Sequence, residues 1–141
     1  MIIVNVYLLW GAGQDLLERK ISAKYIRIGK IGSLVHRITC IVLSASSLQD
    51  WLYALLPGFF FIIIARITKE KIGFGDGLVL LILGNFLSYK ELLYVLQSAL
   101  IFMMMFSILM LISKKADGKC KIPFLPFLWM SHTLLWRLCY G

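Results

Sequence analysis

Six apolar segments, separated by short charged connections, leave this chain of 141 residues few ways to fold. They run over approximately 1–17, 31–48, 51–67, 73–88, 92–113 and 122–139. The interior of a bilayer offers no water to backbone N–H and C=O groups, so only helices and closed barrels cross it. A helix needs roughly 20 residues to cover about 30 Å of hydrocarbon. Several of the segments are short and must use their flanks; the third (Trp51 to Ile67) and the fifth (Leu92 to Ser113) are the clearest spans. The second is the weakest, because His36 and Arg37 leave only a brief apolar run after them. The residues between segments hold no internal repeat, no low-complexity tract and no space for a soluble domain. The expectation is an all-α, polytopic transmembrane helical bundle of about six spans with short loops, forming a single membrane-embedded domain over 1–141.

Charge gives this bundle an orientation. The chain is 60% hydrophobic, with a mean hydropathy of +0.86, and only 16% of its residues are charged. A net charge of +8 suits nucleic acid only when displayed on an exposed soluble face. Here the charges fall in short loops, so nucleic acid is not an expected partner. Arg19, Lys20, Lys24, Arg27 and Lys30 occupy the first connection, Arg66, Lys69 and Lys71 the third, and Lys114, Lys115, Lys119 and Lys121 the fifth. The second and fourth, around Gln49-Asp50 and Lys90-Glu91, hold one basic residue between them. Basic residues favour the cytoplasmic side, which predicts a multi-pass protein of the cell membrane with both termini outside. Loops 18–30, 66–72 and 114–121 would be cytoplasmic, where they would also meet anionic lipid headgroups. The N-terminus, Met1-Ile2-Ile3-Val4-Asn5, lacks a basic n-region and a small-residue cleavage site, so the first segment is expected to be retained as a span. Cys40, Cys120 and Cys139 are widely separated and form no metal-ligand spacing, so free thiols and no metal are expected.

Two of the seven acidic residues stand apart. Glu18, Asp50, Glu70, Glu91 and Asp117 lie in connections or at segment edges. Asp15 precedes Lys20 by five residues at the cytoplasmic end of the first segment, and Asp76 follows Lys71 by five at the start of the fourth. At ~1.5 Å per residue, both carboxylates would lie about 7 Å inside the interface that those lysines mark. Either one alone could snorkel to headgroups, and Asp76 could cap a helix. Equal depth on two segments is what a catalytic dyad requires. Two close carboxylates share one proton and titrate as a unit, which supplies a general base and a general acid without metal or cofactor. Around the second acid, Gly73, Gly75 and Gly77 alternate, allowing tight turns and close backbone approach.

The string Gly73-Phe74-Gly75-Asp76 resembles the Gly-x-Gly-Asp signature of intramembrane aspartyl proteases, and among them the prepilin peptidases. Asp15-Leu16-Leu17-Glu18-Arg19-Lys20-Ile21-Ser22-Ala23 resembles that family's Asp, basic pair, Ile, Pro, Asn pattern, with Ser22 and Ala23 replacing Pro-Asn. Leu78 stands where the family commonly has Lys after its second Asp, and Gly84 matches a further family glycine. Lys121-Ile122-Pro123-Phe124-Leu125-Pro126-Phe127-Leu128 resembles the Ile-Pro-Phe-Gly-Pro-Phe segment, with Leu125 for Gly. The three blocks follow in family order. The resemblance implies an aspartic endopeptidase with Asp15 and Asp76 catalytic, and with Gly73, Gly75, Gly77, Pro123 and Phe124 toward substrate. The implied substrate is a pilin-like precursor carrying a short basic leader, a Gly at the cut and a hydrophobic helix behind. Longer relatives carry a cysteine-rich insert and N-methylate the product; this sequence has neither the insert nor cysteine pairs, so methylation is not expected.

Two rival functions use the same residues. A small proton-coupled carrier would employ the two acids as a relay, and a non-catalytic relative would bind precursor without cutting it. His36 and His132 are expected to pack rather than react, Met103-Met104-Met105 to fill the membrane, and Pro57 and Pro123 to kink or start helices. Asn5, Asn85 and Gln97 are candidates for hydrogen bonds between spans.

Overall fold

A computed structural model describes residues 2–18, 21–43, 48–68, 73–113 and 123–140. The described residues form six α-helices and no strand: α1 (Ile2–Glu18), α2 (Ala23–Val42), α3 (Leu48–Ile67), α4 (Phe74–Phe86), α5 (Tyr89–Ile112) and α6 (Leu125–Tyr140). Two of them, α3 and α5, are long and apolar enough to cross a membrane. The chain clusters into two compact units. One comprises residues 1–19 with 94–141, the other residues 20–93.

The second helix begins well before the predicted segment, which corrects the first connection. Ser22 is the N-cap of α2, its side chain accepting a hydrogen bond from the Lys24 N–H at 3.3 Å. Lys24, Arg27 and Lys30 are therefore exposed on the helix and not in a loop. Their spacing of three carries them along the exposed side, while Tyr25, Gly29, Ser33 and Arg37, each four apart, are buried. The fifth helix also starts early, at Tyr89, because Ser88 and Glu91 make a capping box. The Ser88 N–H donates to Glu91 Oε2 at 3.0 Å, and the Glu91 N–H donates to Ser88 Oγ at 3.4 Å. The sixth starts at Leu125, just after Pro123 and Phe124. Arg19, Lys20, Lys69, Glu70, Lys71, Asp117, Cys120 and the four lysines of the fifth connection lie outside the described residues.

In the unit of residues 20–93, α3 and α4 run antiparallel with their backbones in close approach. A β-carbon on Gly58 would meet the Leu81 side chain at 2.7 Å, one on Gly77 would meet Ile62 at 2.7 Å, and one on Gly84 would meet the Ala54 carbonyl oxygen at 2.5 Å. Pro57 sits inside α3 and does not start it. Helix α2 lies against α4 in parallel, joined at one end by Ile21 on Gly75 and at the other by Ser33 on Asn85.

Asn85 is the polar centre of this unit. The Trp51 indole N–H donates to Asn85 Oδ1 at 2.8 Å, and Asn85 Nδ2 donates to Ser33 Oγ at 3.2 Å and to the Leu81 carbonyl at 3.3 Å. One side chain thus ties α2, α3 and α4. Replacing Asn85 by Ala leaves the Trp51 N–H without its acceptor, and is expected to cost about 1 kcal/mol in equilibrium unfolding of the purified chain.

In the other unit α1 and α6 are antiparallel, with Val4, Leu8 and Ala12 buried on α1 and Leu125, Leu128, Ser131 and His132 on α6. His132 Nδ1 donates to Asn5 Oδ1 at 2.9 Å. Asn5 and Asn85 therefore both bridge helices as expected, whereas Gln97 is exposed.

Many large apolar side chains are exposed, around a buried set that is mostly apolar but includes several polar groups. Exposed positions include Val6 and Leu9 on α1, Ile31, Val35 and Ile38 on α2, Phe59 and Phe60 on α3, and Met104, Met105 and Leu109 on α5. Asp15, Ser33, Arg37, Asn85, Ser131 and His132 are buried. So many exposed large apolar side chains are uncommon in a monomeric soluble protein.

Candidate active site

Asp15 lies in the last turn of α1, one turn from its end at Glu18. Although charged in type, it is only 8% exposed. Its carboxylate reaches the first turn of α6: the Leu125 N–H donates to Asp15 Oδ2 at 3.2 Å, with the Phe124 amide beside it. The first N–H groups of a helix have no partner within it and carry partial positive charge, so a carboxylate there satisfies both. Leu125, where the resembled segment has Gly, supplies this bond from its backbone, so the side-chain departure leaves it intact. Phe124 is buried, and through its own amide it flanks the acid. Pro123, half-buried, immediately precedes α6 and has no N–H of its own to compete for the carboxylate.

Asp76 lies in the first turn of α4 and is partly exposed. Gly73, not Asp76, is the N-cap of this helix, which corrects the capping alternative. Asp76 is three residues on, its N–H donating to the Gly73 carbonyl at 3.1 Å. The carboxylate folds back over Gly73, where a β-carbon would stand 2.7 Å from Asp76 Oδ2. Gly73 has φ −61° and ψ 115°, an extended conformation open to any residue, so its glycine identity serves space and not backbone freedom. Gly75 and Gly77 are within the helix and likewise serve close approach. A β-carbon on Gly75 would meet Ile21 Cδ1 at 2.8 Å, and one on Gly77 would press on α3 at Ile62.

The three sequence blocks thus meet in pairs. The first touches the third through Asp15 and Leu125, and touches the second through Ile21 and Gly75. Asp15 with Pro123 and Phe124 belongs to one compact unit, and Asp76 with the three glycines to the other. No known family, curated protein or solved structure matches the chain. The site is therefore argued from its own residues.

Among the described residues, no group of three or more His, Cys, Asp or Glu side chains is arranged to hold a metal ion. One polar group escaped the sequence reading: Gln14, beside Asp15, has its side-chain oxygen buried and without a hydrogen-bond partner. A glutamine in a helix ordinarily signals a solvated face, so sequence alone carried no sign of this.

Gly73→Ala is an informative substitution because the position is exposed and the new methyl has room except toward Asp76. The helix should form normally while the carboxylate moves. If Asp76 reacts, cleavage should fall about 10-fold or more, since small misplacements of reacting groups are costly. Circular dichroism beside a cleavage assay measures both.

Proposed function

We propose that this chain is a membrane aspartic endopeptidase of the prepilin peptidase kind, cutting the leader from pilin-like precursors at the cytoplasmic membrane face. Two contacts between the resembling blocks, each within one compact unit, carry this reading. Asp15 holds the start of the third block, and the first and second blocks meet one residue from Asp76.

The chemistry needs only these two side chains. The ionised member takes a proton from water as the water oxygen bonds to the scissile carbonyl carbon. The protonated member donates to the carbonyl oxygen, and the amine leaves with a proton returned from the pair. A hydrolysis balanced in this way consumes one water and requires no cofactor. Gly73 keeps space at Asp76, where a β-carbon would stand 2.7 Å from Oδ2.

The membrane setting is supported by the two long apolar helices and by the exposed large apolar residues of α1, α2 and α6. Six spans with both termini outside complete the proposal, the orientation resting on the loop charges. Helix α4, at 13 residues, rises only about 20 Å and would rely on its connections to complete a crossing. Topology is testable at Cys120. A membrane-impermeant thiol reagent is expected to label it in inverted vesicles and not in intact cells; labelling of intact cells would reverse the orientation.

Co-expression with pilin-like precursors from the same genome tests the function. A shift of one precursor to a smaller species supports the endopeptidase. Capture without a shift favours a non-catalytic binder, and neither outcome favours a carrier.

A further inference from the structure

At the end of the α2–α4 unit opposite Gly75 and Asp76, Arg37 is only 6% exposed, whereas the other cations of α2, Lys24, Arg27 and Lys30, are exposed. Its guanidinium carbon lies 5.9 Å from the centre of the Trp51 ring. Arg37 Nε and Nη2 are both buried, and neither has a hydrogen-bond partner among the described residues. These two nitrogens form one edge of the guanidinium, with N–H bonds that run parallel and match two oxygens of a single oxyanion.

The surrounding polar atoms are engaged with one another. Asn85 Oδ1 accepts from Trp51, Ser33 Oγ accepts from Asn85 and donates to the Lys30 carbonyl at 3.1 Å, and Asn85 Nδ2 donates twice. Asp50, in the exposed first turn of α3, acts on the guanidinium through its charge but accepts a hydrogen bond from neither of the two nitrogens. The cluster has an excess of donors and a buried positive charge. A neutral water would satisfy the N–H bonds but not the charge.

We infer that the Nε–Nη2 edge of Arg37 is a binding site for a phosphate oxyanion. Arg37 is five residues from the end of α2 at Val42, about 7 Å along the axis, so the edge is at the depth of a phospholipid headgroup in the leaflet opposite Asp76. The exposed Ile31, Leu34, Val35 and Ile38 on the same helix would lie along the acyl chains. This site does not depend on the protease reading, only on the helices meeting lipid.

The full chain, purified in neutral detergent, tests the site by nitrogen NMR of arginine Nε–H groups, with Arg37→Lys identifying the Arg37 signal. Phosphatidylglycerol in mixed micelles is expected to shift that signal, and phosphatidylcholine to shift it less. A shift with inorganic phosphate as well would make free phosphate a second source; lipid alone would restrict the site to headgroups. No shift with either, or an equal shift with acetate, would overturn the assignment. In parallel, native mass spectrometry should find one phosphatidylglycerol retained at high salt, with retention at least ~10-fold weaker in Arg37→Gln and intermediate in Arg37→Lys. Equal retention in folded Arg37→Gln would also overturn it, because exposed Lys24, Arg27 and Lys30 would then account for the binding.

Discussion

Asp15→Asn and Asp76→Asn are each expected to lower precursor cleavage by at least ~100-fold while leaving the protein inserted and folded. The amide keeps the size and shape of the carboxylate. At residue 15 its oxygen can still accept from the Leu125 N–H, so the junction of α1 with α6 survives. What disappears is the ionisable group that the proposed chemistry requires. On the proposal that the two acids share one proton, the double variant should be little worse than either single one. Glu18→Gln and Asp117→Asn are the controls and should cost little. Initial rates on one precursor, with circular dichroism on each variant, separate loss of chemistry from loss of fold. Near-normal cleavage by Asp15→Asn would remove it from the mechanism.

Gly84→Ala carries the largest expected effect on stability. The added methyl would stand 2.5 Å from the Ala54 carbonyl oxygen and 3.1 Å from its carbon, both backbone atoms that no rotamer change can move. Helices α3 and α4 must separate, at a cost of about 1–3 kcal/mol for an overpacked contact. Gly13→Ala and Gly32→Ala add the same methyl into open space. They should be neutral or stabilising by up to ~1 kcal/mol, because alanine favours the helix. Unfolding of the three variants in one detergent measures the contrast in sign. A Gly84→Ala protein as stable as the unsubstituted chain would mean that the two helices are not in this close approach.

The helical class was legible because long apolar runs have one solution when backbone groups lack water. The starts of the helices were less so. Lys24, Arg27 and Lys30 read as a loop because charge normally marks solvent, yet a helix can carry charge on one side while Tyr25, Gly29 and Ser33 bury the other. The glycines of the fourth segment were legible as places for a turn or a close approach, but not what would approach them. Gly75 and Gly77 admit Ile21 and α3, contacts that depend on distant residues. Asp15 and Asp76 stood out through their positions at apolar segment ends. That Asp15 would meet the Leu125 amide, 110 residues away, could be expected only through the family resemblance of both blocks and not from either alone. Arg37 appeared as a flaw in a weak segment and proved to be buried beside Trp51.

The central claim, leader cleavage by two aspartates, is tested most directly by incubating the purified chain with one purified pilin-like precursor in detergent and weighing the products. The account predicts two fragments whose masses locate one cut after the glycine that ends the basic leader, with chelator present, and intact precursor when Asp76→Asn replaces the unsubstituted chain. Precursor left whole by the unsubstituted protein, or cut equally by Asp76→Asn, would contradict it.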